Sequence, residues 1–113
     1  MLQERWLTAI NAWARQTKQV ARVYIVGSRA KGTAGADSDL DVALILGEER
    51  GYTDWFFESD RWRTELQSQL DVELDLLRGT ASLGNPVTET AVLEHGILVF
   101  DRDRAERDGA LPS

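Results

Sequence analysis

The sequence predicts an α/β domain of the α+β kind, in which helices pack against one small β-sheet. Three observations carry that expectation. Short apolar, β-branched or strictly alternating segments recur at Val20–Val26, Leu40–Leu46, Asp71–Leu77 and Ile97–Phe100, and each has the length and pattern of a strand. Between them, Leu2–Val20 and Trp55–Leu70 repeat apolar residues at helical spacing, and the stretch after Asn85-Pro86 opens with the cap and first-turn proline of a helix. A chain of 113 residues has room for a single core.

Composition narrows the function classes. The 42% apolar and 28% charged content is ordinary for a folded domain. Cysteine is absent and histidine occurs once, which excludes a disulfide framework, thiolate metal sites and a histidine-rich metal centre. No apolar run approaches the ~20 residues of a membrane span, and the start lacks a signal-peptide pattern, so a cytoplasmic location is expected. A net charge of −6 opposes generic nucleic-acid binding, which needs a basic surface to neutralise phosphates.

Taken in order, Leu2, Trp6, Ile10, Trp13 and Val20 form the apolar stripe of the first helix, with Arg5, Gln16 and Lys18 on its wet side. The first strand follows and ends at Gly27. Leu40–Leu46 is the second, Gly47–Asp54 reads as a loop, and Trp55–Leu70 as a helix capped by Ser59 or Asp60. Asp71–Leu77 puts Val72, Leu74 and Leu76 on one face and Asp71, Glu73 and Asp75 on the other. The acidic face is either a solvated edge that discourages strand pairing or the source of one more site carboxylate. Arg78–Asn85 reads as a loop and Pro86–Leu93 as a helix closing near His95 and Gly96. His95 reads as a helix-end residue rather than a ligand. The domain is expected to span 1–101, with 102–113 a charged, disordered tail. The four tryptophans, Trp6, Trp13, Trp55 and Trp62, read as core in preference to a partner surface.

The chemistry concentrates in Gly27–Asp41, GSRAKGTAGADSDLD. Asp39 and Asp41 alternate with Leu40 and Val42, so both carboxylates share one face, a costly crowding unless a cation or proton is shared. Hard cations such as Mg2+ take oxygen ligands of this kind. The loop ahead of them fits neither a P-loop, because Lys31 precedes rather than follows a glycine, nor a GxGxxG dinucleotide turn. Glycine-freed backbone N–H groups, Ser28, Arg29 and Lys31 could still donate to a polyphosphate. On composition alone a basic surface loop is the better reading.

The run GSRAKGTAGADSDLDVAL resembles the GS-x10-DxD signature of the polymerase-β-like nucleotidyltransferase superfamily, and its GSRA opening with the SDLD close is similar to the minimal nucleotidyltransferase group. Gly27 and Ser28 match the GS, and ten residues separate Ser28 from Asp39. The acidic strand and the Glu94-His95-Gly96 segment before a final strand agree more loosely. The resemblance implies a nucleotidyltransferase fold with a small mixed sheet, ATP as substrate, and two Mg2+ ions on three carboxylates. These would be Asp39, Asp41 and Asp75, with Glu73 the alternative third. Gly27 and Ser28 would bind the β and γ phosphates, with Arg29 and Lys31 as secondary charge partners. It also implies a HEPN-domain ribonuclease toxin as partner, to whose tyrosine AMP is transferred.

Larger relatives add an acceptor-gripping domain for which this chain lacks the length. Acceptor recognition is then left to a partner or to self-association, with Trp55, Phe56 and Phe57 as surface candidates. Two other readings stand beside protein adenylylation: a non-catalytic antitoxin that neutralises by contact alone, and transfer to a small molecule or RNA. The short chain counts against a small-molecule acceptor, and the negative charge against RNA.

Overall fold

The computed structural model describes residues 2–32, 35, 38–47, 51–78 and 96–107. In chain order these form α1 (Glu4–Gln16), β1 (Val20–Val26), the single-turn α2 (Gly27–Lys31), β2 (Leu40–Leu46), α3 (Gly51–Gln67), β3 (Leu74–Arg78), β4 (Ile97–Asp101) and α4 (Arg102–Arg107). The sheet order is β3-β2-β1-β4. β1 runs antiparallel to both β2 and β4, whereas β3 lies parallel to β2, so the sheet is mixed.

Strand alternation sends Val23 and Ile25, then Leu40, Val42, Leu44 and Leu46, then Leu74 and Leu76 into one core. Trp6, Ile10, Trp13 and Ala14 of α1 meet that core, as do Trp62 and Leu66 of α3. Burial of such side chains is worth ~1.5–3 kcal/mol each before entropy is counted. Trp13 and Trp62 meet edge to face, centroids 6.3 Å apart. Trp55 packs half-buried against the same cluster, so all four tryptophans serve the core. Phe56 and Phe57 stay outside it, 67% and 72% exposed.

The first helix ends at Gln16, and Val20, expected on its apolar stripe, opens β1; three further differences from the sequence reading have local reasons. First, α3 begins at Gly51 rather than Trp55, so Ser59 and Asp60 lie within the helix and cap nothing. Residues 51–54 include no proline, so the helix can start early, and Asp54 in its first turn suits the helix dipole. Second, β3 starts at Leu74 because Asp71 is drawn away, accepting bonds from Trp6 Nε1 and Arg5 Nη2, both at 2.6 Å. Third, order continues beyond Asp101 into α4. Asp101 Oδ1 accepts from the Asp103 backbone N–H at 3.1 Å, the N-cap arrangement, and Ala105 is buried. Arg102 donates to the carbonyls of Ala14, Thr17 and Val20, closing the end of α1 with a cation. The expected helix Pro86–Leu93, His95 and residues 108–113 lie outside the described residues.

Candidate active site

Two strand ends and a turn converge on one spot. β1 stops at Val26, whose register partner on β2 is Asp41. The chain then turns through Gly27 at φ 73°, a left-handed conformation suited to glycine. A Cβ placed on Gly27 would overlap Asp41 Oδ2 and lie 3.0 Å from its Cγ. Glycine is therefore required twice over, by backbone conformation and by the carboxylate lying against it. After the single turn of α2, Gly32 at φ 78° returns its N–H to the Ser28 carbonyl.

On the other side, Asp41 and Asp75 are register partners across the parallel β2–β3 pair. Residues directly opposite on neighbouring strands face the same way, so both carboxylates leave the sheet on the side away from the helical core. Asp39, one residue before β2, joins that side. Burial pushes the Asp41 carboxyl above its ordinary pKa, the fields of Asp75 and Asp39 push it further, and the Arg29 guanidinium opposes them. Asp75 and Asp39 thus both act electrostatically on Asp41. Glu73 lies two residues before Asp75, with its backbone carbonyl accepting the Leu40 N–H at 2.8 Å and its side chain exposed.

Of the residues expected to meet phosphate, Gly27 and Ser28 sit half-buried at the end of β1, and Lys31 is exposed. Arg29 departs from expectation. It is only 6% exposed, donates Nε and Nη2 to the Ser38 carbonyl at 3.1 and 2.5 Å, and lies over the Trp6 ring at 4.9 Å. The role of Trp6 beneath that guanidinium escaped the sequence reading, which had no signal linking α1 to the loop.

Among the described residues no three acidic or imidazole side chains gather as a ready-made cation cage. The donor chemistry nonetheless fits a hard divalent cation: oxygen ligands only, with burial and then the repulsion of Asp75 and Asp39 raising the Asp41 pKa, a repulsion that a cation would relieve. Among the described residues no helix is long and apolar enough to cross a membrane.

Solved structures share this architecture. A toxin–antitoxin crystal structure with AMP-PNP aligns at TM-score 0.65 and 21% identity, over 92% of this chain and 80% of that one. The toxin–antitoxin MntA-HepT aligns at TM-score 0.61 and 18% identity, over 96% and 80%. A complex of the tri-AMPylated Shewanella oneidensis HEPN toxin with MNT antitoxin gives TM-score 0.61 and 18% identity, over 96% and 81%. At these identities the likeness is one of fold. No curated protein sequence matches the chain. The family model described as "Polymerase beta, Nucleotidyltransferase" matches residues 8–105, nearly the whole sequence, and on that match the chain belongs to the polymerase β nucleotidyltransferase family.

Proposed function

We propose that this domain transfers AMP from ATP to a tyrosine hydroxyl of a HEPN-type ribonuclease toxin and acts as its antitoxin. The observation that carries the reading is the register of Asp41 against Asp75, with Gly27 lying against Asp41 and Ser28 next in the chain, in a chain of nucleotidyltransferase family. The solved complexes of like fold include one with AMP-PNP and one whose HEPN toxin is AMPylated, which supports a nucleotide substrate and a protein acceptor.

Asp39 and Asp41 would hold two Mg2+ ions, and Asp75 the one nearer the nucleophile. When bound, these ions supply the positive charge that steadies the triphosphate during in-line displacement. Gly27 and Ser28 hold the β and γ phosphates through the backbone N–H and the hydroxyl, and Lys31 adds charge at the rim. Asp75 takes the proton of the acceptor hydroxyl. The hydroxyl oxygen bonds to the α-phosphorus, the bond from that phosphorus to the bridging oxygen breaks, and pyrophosphate leaves.

The test is co-expression with the product of the adjacent gene, followed by mass spectrometry of that product. AMP on a tyrosine, lost in Asp39→Asn and Asp41→Asn, is expected. Protection from toxicity that persists in folded Asp41→Asn without any AMP on the partner would instead establish the contact-only antitoxin.

A further inference from the structure

The Arg29 guanidinium is buried, forked onto a backbone carbonyl and stacked on an indole, an arrangement unlike that of a residue waiting for phosphate. The carbonyl belongs to Ser38, immediately before Asp39. Beneath the guanidinium, Trp6 is fixed by its own N–H to Asp71 Oδ1, and Arg5 holds the other oxygen of that carboxylate. Asp71 in turn lies shortly before β3, in the segment that delivers Asp75. A connected set of side chains thus runs from the start of β2, through α1, to the approach of β3.

We infer that Arg29 is a positioning residue that clamps the entrance of β2 to Trp6, and so sets where Asp39 stands relative to Asp41 and Asp75. This rests on the nucleotidyl-transfer reading of the site, although the clamp itself exists without nucleotide. The geometry is specific to arginine: two N–H groups of one planar fork meet one carbonyl while the plane covers the ring. Lysine keeps the charge that acts on Asp41 but offers neither fork nor plane. The Gly35 carbonyl accepts the Ser38 N–H and the Ser38 hydroxyl accepts the Gly35 N–H, so releasing the Ser38 carbonyl also loosens the turn before it.

The experiment has two arms, on Arg29→Lys and Trp6→Phe. In the nucleotide-free and metal-free protein, amide hydrogen exchange is followed at Ser38 and Leu40. Arg29→Lys is expected to speed exchange there by about tenfold, with the β1 core amides unchanged. Trp6→Phe, which weakens the stack and drops the Asp71 bond, should shift the same amides in the same direction by less. In the transfer assay, Arg29→Lys should lower kcat by about 10- to 100-fold while KM for ATP stays within about twofold, as expected for a misplaced catalytic group rather than a lost phosphate contact. Unchanged exchange at Ser38 and Leu40 overturns the clamp. A raised KM with unchanged kcat overturns it too, and returns Arg29 to the phosphates. Should the wild-type chain transfer nothing, the functional reading fails, while the exchange arm still decides whether the clamp exists.

Discussion

Replacing Gly27 by alanine makes two demands of the chain at once. A side chain at φ 73° costs ~1–2 kcal/mol, because Cβ crowds the following carbonyl in the left-handed region. The same Cβ would overlap Asp41 Oδ2 and stand 3.0 Å from Cγ and 3.3 Å from Cβ, so the carboxylate must swing aside. Asp41 sits within β2 with a strand on either side, so the backbone cannot yield instead. Overpacking of this kind adds ~1–3 kcal/mol, for a total of about 2–5 kcal/mol. With a urea m-value of about 2 kcal/mol/M, mid-range for a small protein, the unfolding midpoint should fall by about 1–2.5 M. Adding Asp41→Ala to Gly27→Ala removes the overlap with Oδ2 and Cγ and leaves the backbone cost with the 3.3 Å contact to Cβ. The double-mutant cycle should therefore show a favourable coupling of about 1–2 kcal/mol. Strictly additive effects, or a Gly27→Ala midpoint within about 0.3 M of wild type at equal m, would refute the reasoning.

Other outcomes test separate parts of the account. Asp75→Asn should cut transfer by about 100-fold or more, whereas Glu73→Gln should stay within about fivefold; the reverse order would move the third carboxylate to Glu73. The hydrogen bonds from Trp6 and Arg5 hold the Asp71 carboxyl below the usual carboxylate range. Their stabilisation is present above the unfolded pKa near 4 and is lost as pH falls through the lower folded value. Asp71→Asn should therefore flatten the stability profile only below about pH 4, and an unchanged acid slope in urea titrations would contradict this. Phe56→Ser with Phe57→Ser should change folding free energy by less than about 0.5 kcal/mol per site, since both rings are largely exposed, and a larger loss would show that they pack against the fold.

What the sequence made legible was the local part of the site. Asp39 and Asp41 face one way because strand alternation requires it, and Gly27 marks the end of β1 by composition alone. The opposition of Asp75 to Asp41 is non-local, since it depends on β3 lying parallel to β2, and no spacing within either strand encodes that pairing. Side-chain direction was equally hidden. Arg29 reads as a surface cation next to Lys31, yet it turns inward because Trp6, more than twenty residues earlier, provides a ring beneath it. The fold past Asp101 did carry a signal that the charged composition obscured: Asp101 directly after a buried phenylalanine is a usable N-cap, and Arg102 answers the open carbonyls at the end of α1.

The central claim is that the α-phosphoryl group of ATP, and not the γ, leaves this site on an acceptor. Incubating the domain and its co-purified partner with magnesium and ATP labelled at either the α or the γ phosphorus tests it most directly. The account predicts label on the partner from α-labelled ATP alone, absent in Asp39→Asn and Asp41→Asn. Label from γ-labelled ATP, or α-label undiminished in those two variants, would contradict it.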